Sequence, residues 1–71
     1  MLSKQQLLKK LGERIRYARM DAGLKSQEAL SDKTGLHRNY IGKLERGLSN
    51  PPVYTLYRIS AALGRKDLLD F

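Results

Sequence analysis

Between positions 38 and 46, Arg38, Asn39, Lys43 and Arg46 bring together side chains that hydrogen-bond to base edges and phosphates. Arginine forms a bidentate contact with guanine O6 and N7, asparagine does the same with adenine N6 and N7, and lysine reaches guanine or a phosphate. If Ile41 and Leu44 point into a core, a helix turning about 100° per residue sends Arg38, Asn39, Gly42, Lys43 and Arg46 outward or to its flank. That face holds no acidic group, and Arg38 and Asn39 sit at the helix N-terminus, the end that enters the major groove in helix-turn-helix proteins. Arg38, Asn39 and Lys43 are therefore the expected base readers.

Backbone contacts follow from similar chemistry. A helix starting beside Ser26 and Gln27 offers unpaired N–H groups and a positive dipole end to a phosphate, and Tyr40, Ser49 and Asn50 add hydroxyl and amide donors. Lys25 supplies a cation next to that helix start. His37 reads as a helix-start residue or a phosphate contact, and Arg46 as a phosphate contact or a capping or ion-pairing group near Gly47. The plain alternative for all these charges is a solvated helix face.

Seventy-one residues hold one small domain, and at this size folding buries only about 60% of the unfolded surface, which favours oligomerisation. Fourteen basic against seven acidic residues leave a net charge of +7, an excess suited to a polyanion. Six of those basic residues fall in positions 1–22, against two acidic ones. The absence of cysteine rules out disulfides, thiol nucleophiles and Cys-ligated zinc. One histidine, with no paired carboxylates and no Ser-His-Asp arrangement, leaves no catalytic residues to assign. No enzyme activity, cofactor, metal or small-molecule ligand is expected. Neither a signal-peptide pattern nor an apolar run of about 18 residues is present, so the expected address is the cytoplasm, with no membrane contact.

The elements that must position these groups all read as helices. Leu8, Leu11, Ile15, Ala18 and Ala22 form one apolar stripe of a first helix over about 4–22, opened by a Ser3/Gln6 capping box and closed by Gly23. Ser26 caps a second helix to about Lys33; Thr34-Gly35 breaks the chain; a third helix spans about 38–46 and ends at Gly47. Pro52 suits the first turn of a fourth helix, whose inward face is Val53, Leu56, Ile59, Ser60 and Leu63. Residues 66–71 read as a fifth helical turn carrying Leu68, Leu69 and Phe71. The second and third helices, joined by a short Gly-containing turn over about 27–46, have the dimensions of a helix-turn-helix, with Ser31 small enough for the crossing and Ile41 anchoring it.

Nearly the whole chain resembles the Cro/C1-type (XRE) family of helix-turn-helix regulators. The matching residues are Ile15-Arg16, Arg19, Gly23-Leu24, Ser26 to Leu30, Thr34-Gly35-Leu36, Tyr40-Ile41, Leu44 to Gly47, Asn50-Pro51, Thr55-Leu56 and Ala61 to Gly64. The resemblance implies an all-α, compact, five-helix lambda-repressor-like domain. It also implies a structural ion pair between Arg19 and Glu45, with Gln27, Arg38, Asn39 and Lys43 facing DNA. The stretch from Leu36 to Ile41 followed by Glu45-Arg46-Gly47 is most similar to the controller proteins of restriction-modification systems. Those are dimers that bind their own promoter region, which implies autogenous control of a linked endonuclease gene. Three positions depart from the pattern: Lys25 lengthens the loop before Ser26 by one residue, Ser31 replaces an alanine, and His37 stands where Ser, Thr or Asp usually caps the third helix.

The expected protein is a homodimeric, sequence-specific regulator, such as a repressor, reading a pseudo-palindromic operator through the major groove of double-stranded DNA. RNA polymerase is a further candidate partner. Dimerisation is expected at the 52–71 end, where Tyr54, Tyr57, Leu68, Leu69 and Phe71 offer more apolar area than a monomer of this length readily hides. The competing reading is an antitoxin or another protein-partner module.

Overall fold

A computed structural model of the protein describes residues 1–65. Among them run four helices and no strand, in the order α1 (Lys4–Asp21), α2 (Gln27–Thr34), α3 (Arg38–Glu45) and α4 (Val53–Ala62). The described residues are all-α as expected and hold four helices, so the expected count of five is not reached among them. The turn expected over 66–71, with Leu68, Leu69 and Phe71, lies outside the described residues.

α1 begins on a complete capping box: the Ser3 hydroxyl accepts from the Gln6 amide at 3.1 Å, and the Gln6 side-chain oxygen accepts from the Ser3 amide at 2.9 Å. Its apolar stripe buries Ile15 and Ala18 and lays Leu11 against the core, while Leu8 is half-buried. Ala22 does not continue the stripe. The helix ends at Asp21, Ala22 becomes its C-cap, and the side chain faces solvent.

The core joins Ile15 and Ala18 of α1, Leu30 of α2, Ile41 and Leu44 of α3, and Leu56, Ile59 and Leu63 from α4 and its cap. Each large aliphatic side chain fully buried here contributes about 1.5 to 3 kcal/mol. Where α1 crosses the last turn of α3, a Cβ at Gly12 would lie 2.3 Å from the Leu44 carbonyl oxygen and 2.6 Å from that of Glu45. Only a bare Cα permits this approach, and it places the end of α3 directly on α1.

α4 starts one position later than its proline suggests. Pro52 is the N-cap, not a first-turn residue, and burial on the inward face begins at Leu56, with Val53 in the first turn left 66% exposed. Ile59, Ser60 and Leu63 point inward as the spacing predicts.

Candidate nucleic-acid interface

α2 and the turn after it are locked together by short polar side chains. The Ser26 hydroxyl caps α2 by accepting from the Ala29 amide at 3.1 Å, and Glu28 in the first turn complements the dipole. At the other end Gly35 takes φ 77°, a left-handed conformation that a side chain would strain. The Thr34 hydroxyl donates to the Leu30 carbonyl at 2.8 Å and accepts from the Leu36 amide at 3.1 Å, and the Ser31 hydroxyl donates to the Leu36 carbonyl at 2.5 Å. Serine at position 31 thus replaces a methyl with a hydrogen bond across the turn.

His37 caps α3 through its ring. Nδ1 accepts from the Asn39 amide at 3.0 Å, doing with an imidazole nitrogen what a hydroxyl or carboxylate oxygen does elsewhere. An accepting Nδ1 in the neutral ring leaves the proton on Nε2, a donor directed away from the helix start.

With Ile41 and Leu44 buried, Arg38, Asn39 and Lys43 all lie exposed. From Arg38 to Lys43 the helix rises about 7.5 Å, roughly two base steps. Two features of this face differ from expectation. Gly42 is not on the surface: a Cβ there would meet the Gln27 side-chain oxygen at 2.9 Å, so the glycine forms a slot in which the Gln27 carboxamide rests. The face is also not free of acid, because the Glu28 carboxylate of α2 lies 3.7 Å from the Arg38 guanidinium, with both side chains well exposed. In solvent such a pair contributes at most about 1 kcal/mol, little enough for a phosphate or base edge to displace it.

Beneath this surface lies a buried charge network. Arg19 Nε donates to Glu45 Oε2 at 2.7 Å and its Nη2 to Oε1 at 3.1 Å, a bidentate pair with side chains only 6% and 3% exposed. Arg19 Nη1 also donates to the Leu24 carbonyl at 2.8 Å, holding the loop before α2. Glu45 Oε1 accepts in addition from Gln27 Nε2 at 3.2 Å. Gln27, expected at a phosphate, therefore has its amide nitrogen engaged inside the protein, and its orientation is set by α1 and α3 together.

The remaining sequence-chosen residues fall into two groups. Lys25 and Arg46 are exposed and share with Ser26, Gln27 and Arg16 a cleft of about 380 Å³ walled also by the Arg19–Glu45 pair. Asn50 is exposed and Ser49 half-buried in the turn after α3, whereas Tyr40 is half-buried and packs against the core, leaving its ring a partly structural part. In the sequence Arg16 stands out only through the family match at Ile15-Arg16. Its spacing of three from Arg19 was the available signal, because i and i+3 share one side of a helix.

Away from this face, Tyr54 and Tyr57 stand 70% and 56% exposed with ring centroids 6.2 Å apart and planes 26° from parallel. Val53 extends the same apolar surface.

The helix-turn-helix family model (HTH_3) matches residues 15–71, most of the chain. The chain belongs to that family. It is 44% identical over 62 residues to the control protein C.BamHI of Bacillus amyloliquefaciens, covering 84% of this chain and 76% of that protein. It is 39% identical over 56 residues to an HTH-type transcriptional regulator of Sinorhizobium fredii, covering 79% of this chain and 71% of the relative. Its fold matches the crystal structure of the restriction-modification controller protein C.AhdI from Aeromonas hydrophila with a TM-score of 0.79 and 39% identity, over 83% of this chain and 88% of that one. The chain is a DNA-binding regulator of transcription and not an enzyme. Among the described residues, no helix is long and apolar enough to cross a membrane.

Proposed function

We propose that this regulator acts as a homodimer on a pseudo-palindromic operator and controls a restriction-modification operon that includes its own gene. The observation that carries base reading is the placement of Arg38, Asn39 and Lys43 on the exposed side of a helix whose other side is sunk in the core. Arg38 and Asn39, at the capped N-terminus, reach deepest into the major groove, with Lys43 one turn behind. Phosphates are held by Lys25, Ser26 and the α2 N-terminus, by His37 Nε2, and by Arg46, Ser49 and Asn50 beyond α3, while Gln27 and Tyr40 border this track.

Pairing of two copies is supported by the exposed Val53, Tyr54 and Tyr57 surface of α4, since apolar rings standing open together favour burial. A two-fold dimer sets two recognition helices about 34 Å apart, one turn of DNA. The operon assignment rests on C.BamHI and C.AhdI, which their names describe as a control protein and a restriction-modification controller protein.

Selection from a random duplex pool at near-physiological salt tests this reading. The expected product is a two-fold symmetric motif with half-sites about one turn apart. Binding with no enriched motif that disappears as salt rises would reduce the surface to nonspecific attraction and remove the operator.

A further inference from the structure

We propose that Arg58 is a positioning residue for DNA recognition: reaching from α4, it grips the turn of the helix-turn-helix and fixes the recognition helix relative to the face through which two copies pair. This rests on the dimeric reading above. The guanidinium Nη2 donates to the carbonyl of Thr34, the last residue of α2. A cation at this end also complements the α2 dipole. It enters over Gly35, where a Cβ would come within 3.2 Å of the same nitrogen, so the glycine serves the left-handed turn and the approach of Arg58 together.

What makes the contact more than a cap is the element it comes from. The hydrogen bonds of Ser31, Thr34 and Leu36 stay within α2 and its turn, ahead of Arg38 and Asn39 in the chain. Arg58 ties that turn to another helix. On α4 it is adjacent to Tyr57 and one turn on from Tyr54, about 100° and 40° round the helix from them, so one rigid helix presents the exposed tyrosines and holds the turn at the flank of the same face. In a two-fold dimer, the separation and tilt of the two recognition helices then pass through this link. A site held loosely by about 1 Å loses geometric discrimination before it loses contact.

The test uses the full chain and the two-fold symmetric operator selected by it, together with the same operator lengthened by one base pair between half-sites. Arg58→Met, checked for folding by circular dichroism and for dimerisation by sedimentation without DNA, is expected to remain a folded dimer. Its discrimination between the two spacings is expected to fall about tenfold. Both operators are measured on one preparation, so the folded fraction cancels from their ratio. Equal weakening on both spacings, an unchanged ratio or a loss of dimerisation would overturn the proposal. Should Arg58→Met leave too little folded protein, Arg58→Gln is measured and the same ratio decides. A wild-type protein that selects no symmetric operator would fail the dimeric reading itself, whereas a symmetric operator with an unmoved ratio fails only the role of Arg58.

Discussion

The two ends of α3 are held by opposite means. Its C-terminal end meets α1 at Gly12 with no room for a methyl group, and Glu45 is clasped by Arg19 in a buried bidentate pair. Its N-terminal end carries Arg38 and Asn39 into solvent, restrained by the His37 cap and by one loose contact from Arg38 to Glu28. A helix that reads bases, as proposed for α3, needs both conditions. The rigid end fixes the axis, so side chains at the other end stay free to exchange water for base edges without the helix losing its direction.

That contrast can be broken most severely at the buried pair. Arg19→Met leaves the Glu45 carboxylate enclosed without its cation and is expected to cost about 3 to 5 kcal/mol, lowering the thermal midpoint by more than about 12 °C in calorimetry. A midpoint close to the wild type would show the pair to be dispensable.

Gly12→Ala comes next and pits two effects against each other. In an exposed helix interior alanine stabilises by about 1 kcal/mol over glycine. Here the added methyl collides with backbone oxygens that cannot rotate away, and a net loss of about 2 kcal/mol is expected in denaturant unfolding. Stabilisation would mean that α1 and α3 separate easily.

At the reading end stability should hardly change. Arg38→Ala is expected to weaken operator binding by about 1 to 3 kcal/mol and to relax preference at one base position, seen by repeating the selection with the variant. Equal weakening on every sequence would make Arg38 a phosphate anchor.

The smallest effect is expected at the cap that joins the two behaviours. His37→Ala removes the acceptor for the Asn39 amide and should cost about 1 kcal/mol of stability, with His37→Asn recovering most of it because asparagine caps well. Equal midpoints for His37→Ala and the wild type would leave the cap without weight.

Much of this was legible before the fold. The capping box at Ser3 and Gln6, the glycine break at Gly35 and the burial of Ile41 and Leu44 follow from local rules that hold in any helical protein. Val53 was misplaced because its spacing from Leu56 fixes only its side of α4, while burial also needs another element packed over the first turn, which the pattern of a single helix does not contain. Glu28 escaped notice as a neighbour of Arg38 because periodicity describes the faces of one helix and contains nothing about which other helix stands beside it.

The sequence by itself determined four described helices, their caps, the positive surface and the set of groups able to read bases, since these depend on residue type and spacing within a single turn or helix. Only tertiary structure decided that Gln27 is spoken for by Glu45, that Gly42 is a slot and not a surface, that Arg16 joins the cleft at the start of α2, and that Arg58 holds the turn from a distance of 24 positions in the chain. Those are contacts between residues far apart in sequence, and their geometry exists only once the core has set how the helices cross.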